Sequence, residues 1–183
     1  METHTKNETL HIRIAEKGKM YSLEGNYKEA LRHYKEAIKM MQQSKDSEIF
    51  FQHYSQCVME ALELSGAHDE VISFCERYID FLDQKSDDSA LIKKHYATVL
   101  EKKAIQYLYK DEKDISLELL KEAQSHVGNG KQPITDQLVN WLQRGFMITK
   151  QQIAALQKKH QYFIVRADVV NPKIAFELPA IIS

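Results

Sequence analysis

Residues 11–44 read HIRIAEKGKMYSLEGNYKEALRHYKEAIKMMQQS, and this stretch decides the fold. Small residues at Gly18 and Ala30, aromatics at Tyr21, Tyr27 and Tyr34, and apolar Leu31, Ala37 and Ile38 flank the turn pair Gly25-Asn26. Gly18 and Ala30 would let two antiparallel helices approach closely, the three tyrosines would fill the space around the crossing, and Gly25-Asn26 supplies the turn. The segment predicts a helix-turn-helix hairpin.

The same turn and the same apolar offsets recur twice more. In a second copy Gly66 is the turn residue, Val71 stands for Ala30, Cys75 for Tyr34 and Tyr78 for Ala37, with Val58 and Leu62 on the preceding helix; Met59 replaces Gly18. In a third, Ala104 and Tyr107 precede the polar turn 111–114, and Ser116, Leu117, Leu120 and Ala123 follow it. The first copy strongly resembles a tetratricopeptide repeat (TPR), and the resemblance extends over residues 11–127. The central positions Ala30, Val71 and Ser116 lie further apart than the roughly 34 residues of the standard repeat. The repeats are therefore lengthened, to about 40 residues, which is similar to bacterial signalling and peptide-sensing regulators.

These features predict helices near 8–24, 27–43, 47–65, 68–84, 88–110 and 113–127, with polar breaks at 44–47 and 86–89. Beyond Gly128-Asn129-Gly130, Pro133 opens a stretch whose Ile134, Leu138, Leu142, Phe146, Ile153 and Leu156 keep helical spacing, so one capping helix is expected over 131–160, with Gly145 inside it marking a kink or close contact. From Gln161 the chain is rich in β-branched and aromatic residues, and Ile174, Phe176 and Leu178 alternate with Lys173, Ala175 and Glu177. An extended or β-like tail is expected there. The fold class is thus all-α: a right-handed solenoid of three TPR-like hairpins (11–44, 45–86, 87–130), preceded by a polar tail over 1–10 and closed by the capping helix and the extended tail 161–183.

Composition agrees and removes several classes of function. In 183 residues there are 6 Gly and 3 Pro, little material for sandwich turns or a dinucleotide loop. The 25 basic and 26 acidic residues leave a net charge of -1, so no nucleic-acid partner is expected. The mean hydropathy of -0.49 and the lack of a long apolar run predict no membrane insertion. No secretory leader is legible, so cytoplasmic residence is expected. Cys57 and Cys75 lack paired spacing and read as reduced thiols of the core.

No nucleotide loop, nucleophile elbow, zinc-protease pair or CxxC is present, so neither an enzyme nor a cofactor is expected. His53 and Cys57, one helical turn apart, with Cys75 beyond, would offer soft metal ligands; core thiols and a polar histidine account for them more simply, and no metal is expected. The turn 111–114 lacks calcium-loop spacing, and Trp141 reads as packing.

What remains is the face that stacked hairpins create. The TPR resemblance places groove positions at Glu16, Lys19, Ser22 and Leu23, at His53, Gln56, Glu60 and Glu63, and at Thr98, Glu101, Lys102, Ile105 and Tyr109. Some TPR proteins hold a peptide's C-terminal carboxylate with a Lys and Asn clamp; Ala15 and Lys19 stand at those positions, so that mode is not expected here. The mixed, slightly acidic groove suggests a basic or neutral polar peptide. The reading is an adaptor or scaffold that binds a protein or peptide partner. Two alternatives stay open: a homo-oligomer assembled through residues 161–183, with Ile174, Phe176 and Leu178 as tail contacts and Ile181 and Ile182 to be covered, or a regulatory subunit of a bacterial signalling system.

Overall fold

A computed structural model describes residues 2–42, 47–85 and 87–180, with side chains from residue 9 onward. The described residues form eight α-helices and no strand: α1 (Glu2–Leu23), α2 (Tyr27–Met41), α3 (Ser47–Leu64), α4 (His68–Asp83), α5 (Ala90–Tyr109), α6 (Lys113–Val127), α7 (Pro133–Gln143) and α8 (Lys150–Lys159). The protein is all-α. Its chain divides into two units, one running to Gly66 and resuming at Phe163, the other spanning 67–162.

In the first unit α1 packs on α2 and α2 on α3. The crossing of α1 with α2 depends on glycine: a Cβ on Gly18 would lie 2.7 Å from Tyr34 Cε1 and 3.1 Å from His33 Cβ. Tyr34 cannot swing away, because it is fully buried and its hydroxyl lies 3.0 Å from Ser22 Oγ. Ile14, Ala15, Ala37, Met41 and Tyr54 form a core here, joined by Leu178 of the tail. Gly25, at a φ of 76°, closes α1: its own N–H donates to Ser22 O and that of Asn26 to Tyr21 O, after which the Asn26 side chain caps α2.

The second unit repeats the device. Asp111, at a φ of 62°, ends α5 with its N–H on Leu108 O and that of Glu112 on Tyr107 O. A left-handed aspartate thus does what glycine does in the first turn. Within this unit α4 packs on α5, α5 on α6 and α6 on α7, around Ala104, Ile105, Leu120, Leu138 and Ile153. The central positions Ala30, Val71 and Ser116 are all fully buried.

Three elements differ from expectation. Residues 2–10 belong to α1 and are not a separate polar tail. The single capping helix is two helices: Gly145, at a φ of 70°, terminates α7 with its N–H on Leu142 O and that of Phe146 on Trp141 O, and Thr149 with Gln152 forms a reciprocal cap that starts α8. Apolar spacing carried across this break, so only the turn chemistry reported it. Among its described residues the tail is extended and pairs with no strand, with a 3-10 turn at Pro172–Ile174. Ile181 and Ile182 lie outside the described residues, as does most of the break at 44–47.

Candidate functional site

On α1 the residues Arg13, Lys17 and Tyr21 fall four apart with Glu16 three after Arg13, one stripe of the helix surface. Arg32 and His33 of α2 and Glu60 of α3 complete the face, and the tail lies along it. The N–H groups of Ile164 and Val165 donate to the Glu60 carboxylate at 2.6 and 3.1 Å. The Asn171 N–H donates to Glu16 Oε1 at 2.5 Å, while Lys19 holds Glu16 Oε2 at 3.0 Å. Arg13 contributes twice: Nε donates to Ile174 O at 3.1 Å and its backbone carbonyl accepts the Phe176 N–H at 2.9 Å. Its guanidinium also lies over the Phe176 ring, 5.5 Å from the centroid.

Four side chains of the first hairpin converge on Glu177. Tyr21 OH donates to Oε2 at 2.7 Å and Lys17 Nζ lies 3.3 Å from the same oxygen. His33 Nε2 is 3.1 Å and Arg32 3.7 Å from Oε1. Partial burial opposes ionisation of this carboxyl, but the hydrogen bonds from Tyr21 and Lys17 and the charge of His33 outweigh it and hold its pKa below the usual glutamate value. In turn the bond to Glu177 leads the causes that push the Tyr21 hydroxyl up to about 12. His33 is fully buried, and its Nδ1 lies 2.8 Å from Glu29 O, so Nδ1 carries a proton. Its Nε2 then either accepts the Leu178 N–H at 3.3 Å or, once protonated, donates to Glu177. Arg32 donates to Pro179 O at 3.1 Å and closes the contact.

Ligand atoms of Glu29, His33 and Glu177 lie within 4.8 Å of one another, the one such group among the described residues that would suit a metal ion. Lys17 and Arg32 already neutralise Glu177, so a divalent cation there would meet two resident positive charges. At His53 and Cys57 the separation is 4.0 Å. Burial pushes the Cys57 thiol up to about 12 and pushes His53 below its ordinary value.

Of the groove positions, then, Glu16 and Glu60 hold tail backbone directly and Lys19 braces Glu16. Leu23 is exposed at the end of α1, His53 and Gln56 are half-buried, and Glu63 is buried. Ser22 faces inward to Tyr34. The positions on α5 are used within the second unit. Glu101 Oε2 accepts both the N–H and the hydroxyl of Thr135, at 3.1 and 2.6 Å, in the first turn of α7; burial raises its pKa despite those bonds. Lys102 Nζ sits 4.1 Å from the Tyr162 ring centroid, Ile105 is in the core, Tyr109 OH donates to Gln157 at 3.2 Å, and Thr98 bonds its own helix. Of the tail contacts, Leu178 is packed in the core, whereas Ile174 and Phe176 are 37% and 38% exposed.

Sequence reasoning missed Arg13, Lys17, Tyr21, Arg32, His33 and Glu177. The signal was present as a basic stripe on one hairpin and a lone glutamate in an otherwise apolar stretch of tail, but they are separated by more than a hundred residues of sequence. Comparison of the chain with known protein families, curated proteins and solved structures finds no match to any of them. Among the described residues no helix is long and apolar enough to cross a membrane.

Proposed function

We propose that this protein is a non-enzymatic adaptor, a TPR-like helical solenoid acting in the cytoplasm, that binds an extended segment of a protein partner on the α1–α3 face of its first unit. One observation carries the reading: that face holds an extended chain by its backbone, with Glu16 and Glu60 accepting three main-chain N–H groups. Main-chain recognition gives affinity for extended peptides in general, and neighbouring side-chain contacts add selectivity. The extended segment in place is the protein's own tail. The ion pairs that Lys17 and Arg32 make with the half-exposed Glu177 contribute only about 0 to 1 kcal/mol each, and on that basis the occupant is one that exchanges.

The test compares proteins retained from cell extract by the immobilised full chain and by its Glu16→Gln/Glu60→Gln variant. The variant keeps acceptor oxygens but loses both charges. A protein whose retention changes with these two carboxylates, and whose cross-links map to α1 or α3, is the expected result. Retention of nothing that depends on them would contradict the adaptor reading.

A further inference from the structure

The contacts around Glu177 specify more than a general groove. Four groups from two helices converge on one carboxylate: Tyr21 OH, Lys17, Arg32 and His33. The residue before it lies against a guanidinium and the residue after it enters the core beside Ile14 and Ala37. We propose that the first hairpin is a receptor for an acidic linear segment in a partner protein, of the pattern aromatic, glutamate, leucine, and that the tail's Phe176-Glu177-Leu178 is a resident copy of that segment which the partner displaces. The inference deepens the adaptor reading and rests on it.

Charge complementarity identifies the partner. Glu16 is paired with Lys19 and committed to a main-chain N–H, as Glu60 is to two, so neither is left to attract a basic peptide. Lys17 and Arg32 form a cationic corner whose anion is supplied by the tail. A partner lacking an acid at this position would leave that corner uncompensated. Tethering gives the resident copy an effective concentration in the millimolar range, so a partner segment must either exceed its contacts or meet a tail already weakened.

The experiment uses the full chain and a labelled, terminally blocked peptide of residues 170–180, VNPKIAFELPA, read by fluorescence anisotropy. In Glu177→Lys the tail's charge opposes Lys17 and Arg32, and this chain should bind the peptide at least about tenfold more tightly than wild type, the scale of one charge-assisted hydrogen-bonded contact. Replacing the peptide's glutamate by glutamine should reverse that gain. Arg32→Glu combined with Glu177→Ala should abolish binding of the glutamate peptide and accept a peptide with arginine in its place, which keeps the proposal testable if Glu177→Lys is poorly folded. Equal binding by wild type and Glu177→Lys would overturn the proposal, as would indifference to the peptide's charge. A wild-type dimer by light scattering that Glu177→Lys dissolves would assign the site to a sister chain's tail and overturn the foreign partner. Should no peptide bind while a partner still depends on Glu16 and Glu60, the adaptor reading stands and this inference falls.

Discussion

Glu60 in the first unit and Glu101 in the second do the same physical work for different clients. Each is a glutamate buried on a repeat helix that accepts main-chain N–H donation from a segment distant in sequence. Glu101 takes the N–H and hydroxyl of Thr135 at the start of α7, and so caps a helix of its own unit. Glu60 takes Ile164 and Val165 of an extended tail. A buried carboxylate must be hydrogen-bonded or it is costly. The second unit meets that need with the start of a core helix, the first with an extended segment. One residue type thus holds the first turn of a helix in one place and an extended stretch of chain in the other.

The largest effect that would sharpen this contrast is expected from Glu101→Ala. It removes two bonds to a buried charged acceptor and leaves the start of α7 without its cap, a loss of about 2 to 3 kcal/mol, read as a lower denaturant midpoint. A loss under about 0.5 kcal/mol would put Glu101 on a par with surface residues. Next comes Gly18→Ala, which bears on the crossing that builds the receptor. Helix propensity favours alanine by about 1 kcal/mol, but the new Cβ meets the immobile Tyr34 ring, and overpacking costs about 1 to 3 kcal/mol. A net loss on the order of 1 kcal/mol is expected, and a gain in stability would show that α1 and α2 can part at no cost.

Glu60→Gln is expected to lower stability by less than about 1 kcal/mol while speeding hydrogen exchange at Ile164 and Val165 and leaving α5 unchanged. Exchange that rises equally in both units would erase the distinction. The smallest effect is one of pH. Because Glu177 has a depressed pKa in the folded protein, its contribution to tail docking is complete above the ordinary glutamate value and is lost as pH falls through the folded one. Tail amide signals in NMR should therefore shift in mild acid in the wild type and not in Glu177→Gln; identical titrations would remove Glu177 from the account.

Much of the helical layout was legible because turns and small residues are local. Gly25, Gly66 and the polar turn before Ser116 located three helix ends to within a residue or two, and α2 and α6 begin where the pattern placed them. Gly145 reads from sequence as a kink or close contact rather than a break, since Leu142, Phe146 and Ile153 keep helical spacing across it, and the Thr149 cap marks the new start. A smaller part of the candidate face was legible: Glu16, Lys19 and Glu60 came from the groove positions that the TPR resemblance implies. Register also pointed to Glu101, Lys102 and Tyr109, yet those side chains turn to α7, Tyr162 and α8. Position along a repeat says which way a residue points but not what chain will meet it there. The cationic corner around Glu177 was illegible for the same reason.

Native-state hydrogen exchange on the full chain tests the central claim most directly, by comparing the amides of Ile164, Val165, Asn171 and Leu178 with those of α1 and α5. The four tail amides should exchange together, by an opening far cheaper than unfolding, while α1 and α5 remain protected. Tail amides that exchange only when α1 unfolds would contradict it, and would make the tail a fixed part of the core.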